Sequence, residues 1–285
     1  MAIGRAIVRD VYPPHEAVKA LAYVSSLMAI APIIAPTLGG VLIQYFSWAS
    51  TFWVLVGAGV VAMLVTVFYV PESLPSKQSL RLSNIFDNYT VLIKHPLFLG
   101  HVLSSSFIYA SAFAFLSGAS FILIEFMGVP SSQFGMYFLF VVAGYITGNL
   151  FTAKFAFAWP VQRIYGVSIA LSVFAALAML LASVMHWYQP LLFVAPIFFS
   201  TLAIGLILPK AMAESLKPFA NMAATTSALM GFLQMSIASL AGWLVGHFLY
   251  DNPMPLALVL LGCSVMAGVC YWRFLRPFIE EGKAA

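Results

Sequence analysis

The sequence predicts an all-α protein that crosses a membrane many times, and three observations carry that expectation. Of its 285 residues, 62% are hydrophobic and 8% charged, far from the average of a soluble domain. The apolar stretches run for about 20 residues or more, enough for a helix to span a bilayer core of roughly 30 Å. The thirteen Lys and Arg all fall in alternate connections, as they do when basic loops stay on the cytoplasmic side. The net charge of +4 thus has a topological origin, and the expected partner is the lipid bilayer, not nucleic acid.

The chain opens on Met1 to Val8, apolar apart from Arg5 and read as the last turns of a helix. Eight complete spans are then expected at Ala20–Phe46, Thr51–Val70, Leu97–Phe126, Gln133–Phe157, Tyr165–Met185, Pro190–Leu208, Ala220–Tyr250 and Met254–Leu275. Arg5, Arg9 and Lys19 precede the first, and Lys77, Arg81 and Lys94 lie between the second and third. Lys154 at the end of the fourth and Arg163 before the fifth share a connection, Lys210 and Lys217 follow the sixth, and Arg273 at the end of the eighth is followed by Arg276 and Lys283. Connections on the other side, such as Ser47-Trp48-Ala49-Ser50 and His186-Trp187-Tyr188-Gln189, hold no Lys or Arg. Both chain ends are therefore expected in the cytoplasm. Trp48, Trp53, Trp187, Tyr188, Trp243 and Tyr250 gather near the outer ends as an interfacial belt. The first span is too long for a cleavable signal and has no cleavage site after it. Cys263 and Cys270, about 10 Å apart along one helix, are beyond disulfide reach and have no neighbours for a metal site.

The first span carries the most unusual composition. Pro32 and Pro36 interrupt it, Gly39 and Gly40 follow, and Ala31, Ala35 and Gly39 recur every four residues on one face. Prolines free backbone carbonyls that lipid cannot bond, so another backbone must approach this face closely. A kinked packing face and a functional gate both fit that pattern.

Gly4-Arg5-Ala6-Ile7-Val8-Arg9-Asp10, the alanine, proline and glycine run, and Val70-Pro71-Glu72-Ser73-Leu74 together resemble the second half of the N-terminal bundle of the major facilitator superfamily. Pro96-Leu97-Phe98-Leu99-Gly100, Phe113 to Phe121, Gly128-Val129-Pro130 and Gln133-Phe134-Gly135 are similar to the seventh and eighth spans of its bicyclomycin-resistance group of drug/proton antiporters. Ala211-Met212-Ala213 and Ser227 to Gln234 resemble that group's tenth-to-eleventh connection and eleventh span. The resemblance implies a major facilitator fold lacking about the first three and a half of twelve transmembrane helices. It divides the chain into residues 1–70, the remainder of an N-terminal bundle; 71–95, a cytoplasmic inter-bundle loop; and 96–285, a C-terminal six-helix bundle. It further implies a multi-pass protein of a bacterial inner membrane that exports small amphipathic drugs in exchange for protons, with no cofactor beyond the proton gradient. The antiporter motif of the fifth span falls on Ala35-Pro36 and Gly39-Gly40, with Ala35 for the usual Gly, and Pro32 just before it. A second expectation is a truncated, non-transporting membrane protein with a structural or interaction role.

No carboxylate falls at mid-membrane, where a coupling group is needed; the resemblance places that group on the first of the twelve spans. Glu125 ends the third complete span, where solvation at the rim fits better than burial. His101, near the start of the same span, reads as an interfacial or packed histidine rather than a relay. No span carries a nucleophile or ligand cluster, so an enzyme is not expected. By the resemblance the third complete span lines the central cavity, where Ser106, Tyr109, Phe113 and Ser117 offer a mixed aromatic and hydroxyl face to substrate. Tyr109 and Phe113, four apart, share one helix face. Arg5, Arg9, Asp10 and Glu72 are expected at a cytoplasmic gate, with Glu72 pairing to one of the arginines.

Overall fold

The computed structural model describes residues 35, 38–43, 45–70, 82–155, 158–248 and 252–281. The chain divides into two compact units, Met1–Ser79 and Leu80–Ala285. In the first, the complete described helix is α1, Trp48–Tyr69, none of whose residues is buried. Its hydroxyls bond their own backbone, Thr51 to the Trp48 carbonyl and Thr66 to the Ala62 carbonyl. A helix whose surroundings offer no water satisfies its polar side chains in this way.

The regular elements described in the second unit are all helices. An amphipathic helix α2, Leu82–Lys94, lies within the 71–95 connection and leads into α3, Pro96–Ser120. Pro96 starts α3 at the position where its missing N–H costs nothing, and His95 before it is extended, as a residue preceding proline prefers. A π-helical turn, Phe121–Phe126, prolongs α3. Gly128 then reverses the chain at φ 71°, a backbone setting that favours glycine. The remaining helices are α4 (Ser131–Phe155), α5 (Val161–Val184), α6 (Pro190–Leu216), α7 (Ala223–Phe248) and α8 (Met254–Cys270). A π-helical turn, Tyr271–Leu275, and a short α9, Arg276–Glu281, complete the described chain.

Seven described helices are long and apolar enough to cross a membrane. They match the second to eighth expected spans; the first expected span lies largely outside the described residues. The chain is thus a multi-pass α-helical membrane protein.

Helix α3 is central and packs on α6, α7 and α8, while α6 also packs on α4 and α5. Two apolar cores result. One contains Phe115, Ile122, Phe193 and Leu256; the other contains Phe98, Tyr165, Ile207 and Leu275 and lies toward the basic helix ends.

One expected boundary is corrected. The span expected over Pro190–Leu208 is longer, because α6 continues through Pro209 to Leu216. Proline at 209 removes the hydrogen bond that the Gly205 carbonyl would accept. Thr152 of α4 supplies a replacement: its hydroxyl donates to the carbonyls of Gly205 and Leu206 at 3.2 Å. The hydroxyl reaches them because glycines line this contact. A Cβ on Gly205 would stand 2.7 Å from the Asn149 nitrogen, and one on Gly148 would collide with the Leu202 carbonyl.

Gly148→Leu is expected to destabilise the detergent-solubilised protein by about 1–3 kcal/mol through overpacking. Thr152→Val should cost about 0.6–1.7 kcal/mol by leaving the Gly205 carbonyl unbonded. Gly166→Ala, with open space for a Cβ, is the control and should leave thermal unfolding unchanged or raise its midpoint slightly.

Candidate functional site

The site expected on α3 is divided by the structure into an enclosed part and an accessible part. Tyr109 is half-buried and packs against both apolar cores, which places it at mid-height in the bundle. Its ring stacks on Phe113 one turn away, with centroids 6.1 Å apart and planes at 26°. Phe113 is also half-buried, and its edge faces Gly242 of α7, where an added Cβ would lie 3.7 Å from the ring. Ser117 is exposed and donates to the Phe113 carbonyl at 3.1 Å. Ser106 is fully buried, and its hydroxyl has no hydrogen-bond partner among the described residues. Tyr109, Phe113 and Ser117 therefore form a continuous strip of α3, while Ser106 is enclosed in this conformation.

Neighbouring hydroxyls hold the helices around this strip together. Ser111 of α3 and Ser200 of α6 approach to 3.4 Å, and Ser172 of α5 and Ser264 of α8 to 2.7 Å. Asn149, an amide that could have bridged helices, instead donates to the Tyr145 carbonyl of its own helix.

Toward the basic end, His101 is 4% exposed and packed rather than interfacial. A 2.7 Å hydrogen bond joins its Nδ1 to the hydroxyl of Tyr165 on α5, and Tyr165 stacks on Tyr271 of the second π turn. The start of α3 is pressed against that turn, since a Cβ on Gly100 would lie 3.0 Å from the Leu275 Cβ. Nearby, Glu214 of α6 is held by Lys217 at 2.7 Å and by Lys210 at 3.6 Å. Glu125 is exposed in the first π turn. Among the described residues, no three His, Cys, Asp or Glu side chains gather to hold a metal.

Arg5, Arg9, Asp10, Glu72, Pro32 and Pro36 lie outside the described residues. Ala35, Gly39 and Gly40 of the same motif are helical, with Ala35 and Gly40 exposed. The reading from residues alone missed the His101–Tyr165 pair and the Thr152 bond. It also missed the close approach at Gly144 and Gly148, whose small-residue spacing was there to be read.

Bundled spans around a mid-height aromatic strip define this as a multi-pass α-helical membrane fold. The sequence profile of the Major Facilitator Superfamily matches residues 1–242, and the chain belongs to that family of secondary transporters. It is 24% identical over 273 residues to the bicyclomycin resistance protein homolog of Haemophilus influenzae, covering 95% of this chain and 68% of the relative. It is 23% identical over 266 residues to the multidrug resistance protein MdtL of Salmonella heidelberg, covering 93% of this chain and 66% of the relative. The chain thus spans about two thirds of the length of these curated relatives. A crystal structure of a bacterial homolog of the human lysosomal transporter Spinster, inward-facing and unoccupied, superposes with a TM-score of 0.61. It shares 15% identity over 97% of this chain and 74% of that one. That likeness establishes the fold.

Tyr165→Phe is expected to cost about 1–3 kcal/mol, because it leaves a buried imidazole nitrogen without its partner. Thermal unfolding in detergent measures the loss; an unchanged midpoint would show that the pair contributes nothing to packing.

Proposed function

We propose that this chain serves drug efflux, exporting small amphipathic compounds across a bacterial inner membrane in exchange for protons. The observation that carries the reading is the half-buried Tyr109–Phe113 stack at mid-height of α3, continued by the exposed hydroxyl of Ser117. A flat aromatic pair with few fixed polar partners suits solutes that share apolar surface rather than one hydrogen-bonding pattern. The names of two relatives, a bicyclomycin resistance protein homolog and a multidrug resistance protein, support the same substrate class. In this reading residues 1–70 belong to an N-terminal bundle, 71–95 connect the bundles, and 96–285 form the C-terminal one. Pro32, Ala35, Pro36, Gly39 and Gly40 serve as the antiporter motif, and Arg5, Arg9, Asp10 and Glu72 form a cytoplasmic gate. Both termini face the cytoplasm, as the distribution of cations suggests.

The test is efflux of a fluorescent amphipathic cation from energised cells that lack their own major pumps. Cells expressing the chain should accumulate less dye than vector controls, and a protonophore should abolish the difference. Tyr109→Ala should weaken apparent affinity by about threefold to tenfold, the worth of an aromatic contact. Equal accumulation with and without the chain would favour the non-transporting alternative.

A further inference from the structure

We propose that the outward face of α8 and the π turn after it form a binding site for one anionic phospholipid from the leaflet at the basic end of the bundle. The buried side of α8 carries Leu256, Leu260, Ser264 and Ala267, turned toward its packing partners α3 and α5. On the other side, Val265, Gly268, Val269, Trp272, Arg273 and Pro277 line a groove of about 680 Å³. From Val265 to Pro277 the helix rises about 18 Å, close to the depth of one leaflet of a bilayer whose core is roughly 30 Å thick. Val265 and Val269, each about half exposed, offer walls to an acyl chain.

The polar end has the opposite chemistry. Trp272 is 65% exposed, and the Arg276 guanidinium lies 4.3 Å from its ring centroid. Arg273 is exposed beside them with its guanidinium over the Phe274 ring. The charge lining this groove is cationic, and it stands at the level where a phosphate would sit above an acyl chain lying along Val265 and Val269. Tryptophan and arginine at an interface, with apolar walls leading into the bilayer, match the two ends of a phospholipid. The same charge argues against a second copy of the chain. A two-fold contact through this face would set Arg273 against its own counterpart.

The experiment is native mass spectrometry of the full chain in detergent, titrated with phosphatidylglycerol and with phosphatidylcholine of the same acyl chains. The wild type should retain phosphatidylglycerol preferentially. Arg273→Gln should reduce that preference roughly fivefold, the worth of one cation near an anionic surface. Val269→Trp, which fills the groove without changing charge, should reduce retention of both lipids. Lys154→Gln, removing an exposed cation elsewhere at the basic end, should change nothing, and inorganic phosphate should not displace the lipid. Three outcomes of the titration would overturn the proposal. These are undiminished preference in Arg273→Gln, an equal loss in Lys154→Gln, or displacement by phosphate alone. A dimer that forms through this face and excludes lipid would also overturn it.

Discussion

The exclusion of water from the bilayer core is the constraint to which the rest of this structure answers. A carbonyl freed inside a span has nothing to bond except protein. At Pro209 that problem is acute, because the helix continues for seven residues beyond the proline, to Leu216. The solution is tertiary: Thr152, on a different helix and 53 residues away, donates to the freed carbonyl. It can do so only because Gly148 and Gly205 allow the two backbones to touch. Proline, threonine and glycine here form one device, and none of the three makes sense without the others.

The same constraint explains why many polar side chains in the bundle come in pairs or turn back on their own helices, although Ser104, Ser106 and Ser168 are buried with no partner among the described residues. Ser172 meets Ser264, Ser111 approaches Ser200, and His101 meets Tyr165. Each pair joins two helices that also share apolar contact. The hydrogen bond thus fixes rotation and register where leucine or valine alone would tolerate several. Other hydroxyls, those of Ser105 and Ser183 among them, donate to carbonyls three or four residues back. That arrangement costs little and transmits nothing to a neighbour.

What the amino-acid sequence displays directly is whatever depends on local composition. The long apolar runs mark seven described spans, and the alternating cations mark which ends share a side. His95 at the start of α3 touches Phe219 just beyond α6, and Gly100 lies against Leu275 after α8. Those contacts bring Lys94, Lys217 and Arg276 to one end, as the alternation requires. The end of α6 was hidden because Pro209 is a breaker by local rules, and its compensation sits on α4. The His101–Tyr165 pair was hidden for the same reason, its members being 64 residues apart. Helix α2 was obscured by its place in a polar connection, although its amphipathic pattern is local.

On α3 the placement of polar groups separates two tasks that the residue types alone do not distinguish. Four candidate residues share hydroxyl or aromatic character, yet Ser106 is enclosed while Ser117 is exposed. A helix at the centre of a bundle has its circumference divided among several neighbours, so only a narrow stripe stays accessible. Tyr109, Phe113 and Ser117 recur at intervals of four and so occupy one stripe; Ser106, three residues before Tyr109, shares that face but lies nearer the basic end, where neighbouring helices enclose it. Under the efflux function proposed above, bulk favours the aromatic pair as the recognising element. A serine offers one hydrogen bond, and Ser117 already donates its own to the Phe113 carbonyl. Two stacked rings offer area to any apolar solute of suitable width. Breadth of specificity would then follow from the same economy of polar groups that keeps the bundle intact in lipid.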